Sequence, residues 1–310
     1  MSVAAPALQR RRRSTRAPRA VMVFLAPALV LFLVFLVVPI CYTLYLSVRQ
    51  NKVDKGGFGI RTESFAGLAN YTSVITDSTY VHSVVRMLGY GFLVVPVMLG
   101  LALLFALLLD TPAARFGRFS RIAIFLPYAV PGVIASLLWG FIYLPGVSPI
   151  RAAVSSIGLP APDFLSPGSV LFSVANIAIW GGVGFNMIII FTSLRGLPGE
   201  LMDSAKMDGC SEVQTALRVK IPLVLPAVIM TGIFSIISTL QVFNEPQTLT
   251  PLTDSIPSTW VPLMTIYRDA FVNNDVFRAA AASLILAVVT LVASVLVLGF
   301  LQKRAFGEDR

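Results

Sequence analysis

The residues best suited to contact a solute are polar and aromatic side chains that interrupt long apolar stretches. Amide and carboxylate groups hydrogen-bond to hydroxyl groups, and aromatic rings offer flat apolar faces for stacking. The polar candidates are Asn186, Gln241, Asn244 and Glu245, and the aromatic candidates are Trp139, Tyr143 and Phe243. Polar groups within apolar segments are costly to bury, so they usually face a cavity or a partner helix. We therefore predict that these side chains line a pathway for a hydroxyl-rich solute.

Structural roles are open for the same residues. Trp139 and Tyr143 also suit an aromatic belt at a membrane interface. Glu245 suits a solvated position at the end of an apolar run, and Asn186 suits a contact between two helices. The sequence leaves both interpretations in place.

Composition excludes several classes of protein. Among 310 residues, 56% are hydrophobic and only 13% are charged, and the mean hydropathy is +0.82. These values exclude an ordinary soluble domain. The sequence has no G-x-x-x-x-G-K-[ST] phosphate loop, no H-E-x-x-H motif and a single histidine, His82. We therefore expect neither ATP hydrolysis by this chain nor a metal site.

Six apolar runs are each long enough to cross a bilayer, which requires about 20 residues. Backbone groups in lipid must be paired within the segment, so each run is predicted to be a helix. The fold class expected is an all-α membrane protein with six transmembrane helices, at residues 21–48, 88–109, 122–144, 171–194, 223–242 and 279–301.

The basic residues predict how these helices are oriented. Of the 24 Lys and Arg residues, 16 lie in the tail 1–20, the loops 110–121 and 195–220, and the carboxyl terminus. The remaining 8 lie in the opposite segments. Because basic residues favour the inner side, both termini and the 195–220 loop are predicted to be cytoplasmic.

The arginine-rich tail at residues 1–20 is compatible with two roles besides that of a cytoplasmic tail. It resembles the basic region of a signal peptide, but the apolar run that follows is too long for one, which favours an uncleaved anchor. Arginine runs also bind nucleic acid, but the membrane context favours a cytoplasmic tail and no nucleic-acid partner.

The loop at residues 195–222 is the longest polar interruption between the fourth and fifth runs. Leu197, Leu201 and Ala205 recur every four residues, which predicts an apolar stripe on a short helix. Asp208 and Gly209 predict the end of that helix, since glycine adopts the left-handed conformation with least strain. A short amphipathic helix held by turns is suited to docking on another protein, although an ordinary solvated hairpin fits the same pattern.

The same loop carries a family resemblance. The run DSAKMDGC at 203–210, followed by Ile221, Pro222 and Pro226, resembles the E-A-A-x-x-D-G-A motif of binding-protein-dependent ABC importer permeases. Asp203 stands in place of the motif's glutamate, and Ser204 in place of its first alanine.

Three other stretches are similar to carbohydrate-type permeases of that family. They are FAGLANY at 65–71, LPYAVPG at 126–132 and FNEPQTLT at 243–250. The last departs from the family's F-D-x-x-Y-x-L-T, because Asn244 replaces the aspartate. The resemblance covers residues 21–303.

The resemblance implies a type I ABC importer permease fold and a permease subunit of a sugar importer in the bacterial inner membrane. It implies four kinds of partner: a second homologous permease, two cytoplasmic ABC ATPase subunits, an extracytoplasmic solute-binding protein and a sugar. ATP and Mg would belong to the ATPase, and this chain would bind no cofactor and would not be an enzyme. The residues that would contact the ATPase are Leu197, Glu200, Leu201, Asp203, Ser204, Ala205, Asp208 and Gly209.

The domain organisation expected is a basic tail at 1–20, a permease domain at 21–303 and a short tail at 304–310. Two other functions fit the sequence less well. A stand-alone secondary transporter would need acids or histidines within its spans, or a visible internal repeat, and neither is evident. An intramembrane hydrolase would need a nucleophile and a base within a span, but His82 precedes the second apolar run.

Overall fold

The computed structural model describes residues 17–53, 61–111 and 116–305. Residues 1–16 and 306–310, with most of the arginines of the basic tail and the end of the chain, lie outside the described residues. The α-helices are α1 (Ala17–Phe32), α2 (Val38–Ser47), α3 (Ala69–Thr76), α4 (Ser78–Asp110), α5 (Gly117–Phe125), α6 (Gly132–Tyr143), α7 (Pro149–Ser156), α8 (Val170–Arg195), α9 (Gly199–Met207), α10 (Glu212–Thr215), α11 (Ile221–Leu240), α12 (Asn244–Leu249), α13 (Pro262–Tyr267) and α14 (Val276–Ala305).

Five helical segments in the described residues are long and apolar enough to cross a membrane. They are Met22–Ser47, Ser78–Asp110, Val170–Arg195, Glu212–Leu240 and Val276–Leu296. The first joins α1 and α2 through a π-helical turn, and the fourth joins α10 and α11 through another. The second begins ten residues before the predicted run, because its first turns are amphipathic and escape a search for apolar residues.

The predicted third span, residues 122–144, is not one helix. It consists of α5, a 3₁₀ turn at Leu126–Ala129 and α6, and the two halves are bent by 98°. Proline lacks a backbone N–H, so Pro127 and Pro131 prevent an unbroken helical ladder through this point. The chain therefore has up to six spans, the sixth being this bent pair.

The expectation of an all-α fold needs a small correction. Strand β1 (Arg49–Val53) pairs antiparallel with β2 (Arg61–Phe65), and Arg49 lies opposite Phe65. Val53 and Thr62 are β-branched residues that favour strands. The hairpin directly follows the first span.

The FAGLANY stretch anchors this hairpin to the first span. Asn70 Nδ2 donates hydrogen bonds to the carbonyl oxygens of Ser47 and Arg49, at 2.8 and 2.7 Å. The Tyr71 hydroxyl lies 2.7 Å from Ser47 Oγ, and Gly67 has a φ of 57°. The stretch therefore fastens α3 against the end of α2.

The core is built on α4 and α8, which pack along each other. Both helices bury apolar residues at intervals of three or four, which places them on one face of each helix. The buried residues of α4 include Met87, Tyr90, Val94, Met98, Ala102 and Ala106, and those of α8 include Val174, Ile177, Val183, Met187, Ile190 and Leu194. Helix α11 packs against both.

Close backbone contact holds the bent pair against α8. A Cβ added at Gly184 would lie 2.2 Å from the carbonyl oxygen of Ile124 and 2.7 Å from Cα of Phe125. Glycine at position 184 therefore lets α5 approach the backbone of α8 closely.

Candidate functional site

A cavity of about 470 Å³ lies between α4, α8, α11, α12 and the bent pair. Its wall combines aromatic rings with polar groups, all of them neutral except the carboxyl group of Glu245. The polar and aromatic residues of the wall are Tyr90, Tyr128, Phe185, Asn186, Phe234, Ser235, Ser238, Thr239, Gln241, Phe243, Asn244 and Glu245. Such a mixture is typical of sites that bind small molecules.

The break in the third span shapes one wall of the cavity. Tyr128 lies in the 3₁₀ turn, and its ring stacks on Phe185 of α8 with centroids 4.7 Å apart and planes 17° apart. Both rings line the cavity. Tyr128 therefore reaches the cavity because the third span is broken at this turn.

Another part of the wall comes from the end of α11 and the start of α12. Gln241, Asn244 and Glu245 all line the cavity, and their contact with a solute stays a prediction. Gln241 and Asn244 are exposed, and Glu245 is partly buried. Within the described part of the chain, their side chains show no hydrogen bond or ion pair to other residues. These groups therefore remain available to a bound molecule.

Asn186 reaches the cavity wall but already has partners. Its Nδ2 donates to the carbonyl oxygen of Gly182 at 3.0 Å and lies 3.2 Å from Met98 Sδ. Ser235 Oγ donates to Asn186 Oδ1 at 3.4 Å. Asn186 is 3% exposed, so these contacts join α4, α8 and α11 as the packing interpretation proposed. Its contact with a solute stays a prediction.

Trp139 and Tyr143 lie on α6 outside this cavity wall. The Tyr143 hydroxyl donates to the carbonyl oxygen of Ser173 at 3.0 Å and accepts from Asn176 Nδ2 at 3.0 Å. Trp139 packs edge-on against Trp180 at 5.9 Å between ring centroids. Both residues join α6 to α8, and their contact with a solute stays a prediction.

Sequence reasoning missed part of the wall. Three polar residues on one face of α11 also line the cavity. They are Ser235, then Ser238 three residues later, and Thr239 next to it. A search for polar residues at helical spacing within the fifth apolar run would have found them.

The loop after α8 forms the predicted helix, turn and second helix. Helix α9 starts at Gly199, with Glu200 in its first turn and Lys206 in its last, which suits the helix dipole. Gly209 has a φ of 77°. Its N–H donates to the Lys206 carbonyl, and the N–H of Cys210 donates to the Ala205 carbonyl, both at 3.0 Å. This pair of bonds is the Schellman arrangement that ends a helix at glycine.

A capping box that sequence reasoning also missed starts the next helix. Ser211 Oγ accepts from the N–H of Gln214 at 3.3 Å, and the N–H of Ser211 donates to Gln214 Oε1 at 2.8 Å. The signal was the S-x-x-Q spacing directly after Cys210. The two caps define the direction in which α9 and α10 leave the turn.

The predicted apolar stripe of α9 splits between two faces. Ala205 is buried and Leu197 packs against the core, whereas Leu201 is 41% exposed. Glu200, Asp203, Ser204 and Asp208 are exposed with it. Met207 is 88% exposed, and Val213 and Leu217 are exposed farther along the loop. The loop therefore presents apolar side chains outward among charged ones.

An ion pair fastens the base of the loop to α4. Lys220 Nζ lies 2.7 Å from Asp110 Oδ2, and the two side chains are only 10% and 11% exposed. Arg195 Nε lies 3.5 Å from Asp110 Oδ1. These residues border a smaller cavity of about 220 Å³ together with Leu197, Met202 and Lys206.

The described residues include no group of three His, Cys, Asp or Glu side chains arranged to hold a metal ion. The cavity offers hydrogen-bonding groups and aromatic rings to a hydroxyl-rich molecule, and the loop after α8 offers an exposed surface on which a partner can dock.

Comparisons with known proteins agree with this description. The chain is 26% identical over 283 residues to the sn-glycerol-3-phosphate transport system permease protein UgpA of Salmonella typhimurium, covering 90% of this chain and 92% of that one. It is 27% identical over 298 residues to the diacetylchitobiose uptake system permease protein NgcF of Streptomyces coelicolor, covering 92% and 82%.

The fold matches that of a chain in the crystal structure of a bacterial ABC transporter that imports the acidic polysaccharide alginate. The TM-score is 0.80 at 20% identity, over 93% of this chain and 96% of that one. A second structure of the alginate transporter, in complex with an alginate pentasaccharide-bound periplasmic protein, also gives 0.80, over 97% and 99%. At this identity the likeness shows the fold alone.

The model of one family matches residues 79–305, which include the bent pair, the cavity and the whole loop after α8. A chain of this kind is a membrane permease subunit, and ATP hydrolysis belongs to a separate subunit. This protein belongs to the family of binding-protein-dependent transport system inner membrane components.

Proposed function

We propose that the chain forms one half of a sugar pathway in an ABC importer and is driven by an ATPase that docks on its 195–222 loop. Both termini and this loop would face the cytoplasm, and six spans would cross the membrane, with the bent pair as the third. A second homologous permease would complete the pathway, and an extracytoplasmic solute-binding protein would deliver the sugar. The stand-alone carrier has no support among the matching proteins.

The observation that carries this proposal is that the same two helices line the cavity and hold the loop. Helix α8 places Phe185 at the cavity and Arg195 at the loop. Helix α11 places Ser235 at the cavity, and Lys220 directly precedes it at the loop. At a rise of 1.5 Å per residue, the 15 residues between Lys220 and Ser235 span about 22 Å. A movement of the loop therefore reaches the cavity through continuous helix.

The surface of the loop fits a protein partner. Exposed apolar patches rimmed by polar residues mark protein interaction sites. Leu201 and Met207 are exposed beside Asp203 and Asp208, in a loop whose central turn is capped on both sides and whose base is paired with Asp110. We infer that this face enters a cleft of the ATPase, which would hold the ATP and Mg, and that ATP binding moves the loop.

The mechanism proposed is alternating access. ATP binding would close the ATPase dimer and draw α9 with it, which would tilt α8 and α11 and open the cavity toward the loaded binding protein. Hydrolysis would return the cavity to the cytoplasmic side. In this scheme the chain supplies the solute pathway and the loop that moves it, and ATP hydrolysis by the partner supplies the energy.

The experiment is an affinity purification of the tagged chain in mild detergent, with wild type compared with Gly209→Val. Valine at a φ of 77° costs about 1–2 kcal/mol, and relieving that strain would reorient α9. We expect wild type to carry an ATPase and a second permease, and the variant to lose the ATPase while its amount in the membrane is unchanged.

Gly158→Val is the matched control. Gly158 has a φ of 76°, and neither glycine has an atom within 4 Å of an added Cβ, so the backbone strain is the same. Gly158 follows α7, away from the loop after α8. The proposed docking site is contradicted if both variants retain the ATPase, or if both lose it equally. A wild-type chain that purifies with no ATPase contradicts the importer itself.

A further inference from the structure

The charge of the cavity wall is one-sided. Glu245 is the single charged residue that lines the cavity in the described part of the chain, and its other polar residues are neutral. No Lys, Arg or His from the described ranges reaches the wall. A cavity with one carboxylate and no cation is a poor environment for an anion.

Unlike two other buried carboxylates in the described residues, that of Glu245 has no ion pair. Asp110 has Lys220, and Asp269 has Arg278 at 3.0 Å and Arg268 at 3.3 Å. Glu245 forms no ion pair or side-chain hydrogen bond with any described residue. Burial raises the pKa of Glu245, with only its own backbone N–H acting against that rise. Apart from that N–H, the carboxyl group has no partner among the described residues, so it can accept hydrogen bonds from a ligand.

The arginines of the neighbouring elements are held elsewhere. Arg86, on the helix that carries Tyr90, donates to the carbonyl oxygen of Trp260 at 2.8 Å. Arg278 of α14 bonds to both Asp77 and Asp269. Arg151 of α7 donates to the carbonyl oxygen of Pro162 at 2.7 Å. None of these three side chains lines the cavity.

We propose that this cavity admits sugars without an acidic group and rejects sugars that bear a phosphate or a carboxylate, with Glu245 as the residue that selects. The inference rests on the proposed function, since it names the class of sugar that the pathway carries. Glu245 would accept hydrogen bonds from sugar hydroxyls or from an amino group. Gln241 and Asn244 would add neutral hydrogen bonds, and the Tyr128–Phe185 pair would contact the ring face.

The size of the discrimination follows from Coulomb repulsion. When Glu245 is ionised, two like charges about 7 Å apart, at an effective dielectric constant of about 20, disfavour binding by roughly 50-fold. A neutral sugar of equal size meets no such repulsion. The names of two matching transporters refer to sn-glycerol-3-phosphate and to an acidic polysaccharide, which are anionic. By this inference neither kind of solute is carried here, despite the shared fold.

The test measures uptake of matched probes by cells that express the complete importer. The probes are labelled neutral disaccharides built from glucose, galactose or N-acetylglucosamine, each paired with its 6-phosphate and its uronic-acid form. The binding protein also filters solutes, so the decisive quantity is the neutral-to-anionic uptake ratio in wild type and in variants that share that binding protein. The variants are Glu245→Gln and Glu245→Lys. The control is Asp254→Asn, an exposed carboxylate nine residues along the chain and outside the cavity wall.

We expect wild type to take up a neutral disaccharide at least about 10-fold faster than its anionic forms. The ratio should fall several-fold in Glu245→Gln and further in Glu245→Lys, and it should not change in Asp254→Asn. Equal uptake of neutral and anionic forms by wild type, or a ratio that Glu245→Lys leaves unchanged, overturns the inference and leaves the importer intact. If no sugar of any class enters, the proposed function fails and the inference fails with it.

Discussion

The cavity and the base of the 195–222 loop lie at two levels of the same helices, yet they are held by different forces. At the loop, Asp110 is paired with Lys220 at 2.7 Å and lies near Arg195. At the cavity, the wall is held by close helix contact at Gly184 and by neutral hydrogen bonds around Asn186. The single carboxylate of the wall, Glu245, has no cation partner among the described residues.

This difference shows that an ion pair stabilises the base of the loop, whereas polar groups in the cavity wall have no charged partner among the described residues. A buried ion pair joins elements that are far apart in the chain, because the loss of either partner exposes the other charge to an apolar environment. A group that binds a ligand must lack such partners, because a group already hydrogen-bonded within the protein is less able to bond to the ligand. By the proposed selectivity, Asp110 and Glu245 carry the same carboxyl group but differ in role.

The largest effect is expected from breaking the pair at the loop. Lys220→Met leaves the Asp110 carboxylate mostly buried and should destabilise the protein by about 3–5 kcal/mol. Arg195 is 3.5 Å from the carboxylate with a side chain that is 63% exposed, so it compensates only in part. The measurement is thermal unfolding of the purified chain in detergent.

The double variant Asp110→Asn with Lys220→Met is the control, because it removes both charges. It should recover most of the lost stability, since no unpaired charge remains. Equal stability of the single and double variants would show that the pair does not hold the loop.

A smaller loss is expected at the cavity wall from Gly184→Ala. The added Cβ would lie 2.2 Å from a backbone oxygen of Ile124, so α5 must move away from α8, at a cost of about 1–3 kcal/mol. The same assay should show reduced stability, and the stacking of Tyr128 on Phe185 should change. Gly100→Ala is the control, because nothing lies within 4 Å of its added Cβ. A Gly184 variant as stable as the Gly100 variant would mean that close contact does not hold this wall.

The smallest effect concerns a charge pair outside both regions. Asp77 caps α4 and accepts hydrogen bonds from the N–H of Thr79 and from Arg278. Burial acts to raise its pKa, but these bonds and the charge of Arg278 hold the pKa of Asp77 below its ordinary value. Because the folded pKa is lowered, the stabilisation is present above about pH 3.9 and is lost as the pH falls through the folded pKa.

Asp77→Asn should therefore lose less stability between pH 6 and pH 3 than wild type loses, by at most about 1 kcal/mol. Unfolding midpoints at the two pH values provide the measurement, and the exposed Asp254→Asn is the comparison variant. An identical pH response in wild type and Asp77→Asn would show that this cap contributes nothing that depends on charge.

Much of the fold could be predicted from properties that are local in the chain. The lengths of the apolar runs located the first, fourth and sixth spans to within a few residues, whereas the second and fifth begin ten and eleven residues before the predicted runs and the third is a bent pair. Glycine at 209 located the end of α9, because the left-handed conformation is a property of one residue. The F-x-G-L-x-N-Y stretch was found in the sequence, but its role in tying α3 to α2 was not.

The sequence by itself determined the class of protein, the approximate spans, and the helix and turn of the 195–222 loop. These follow from composition, from periodicity and from the conformational preferences of glycine and proline, all of which act over a few residues. Only the tertiary structure decided that the third span bends by 98° and that Tyr128 meets Phe185 across the chain. It also paired Asp110 with Lys220, 110 residues away, and placed no cation from the described residues beside Glu245. Those outcomes depend on which helices become neighbours, and hydropathy along one chain does not specify which faces meet.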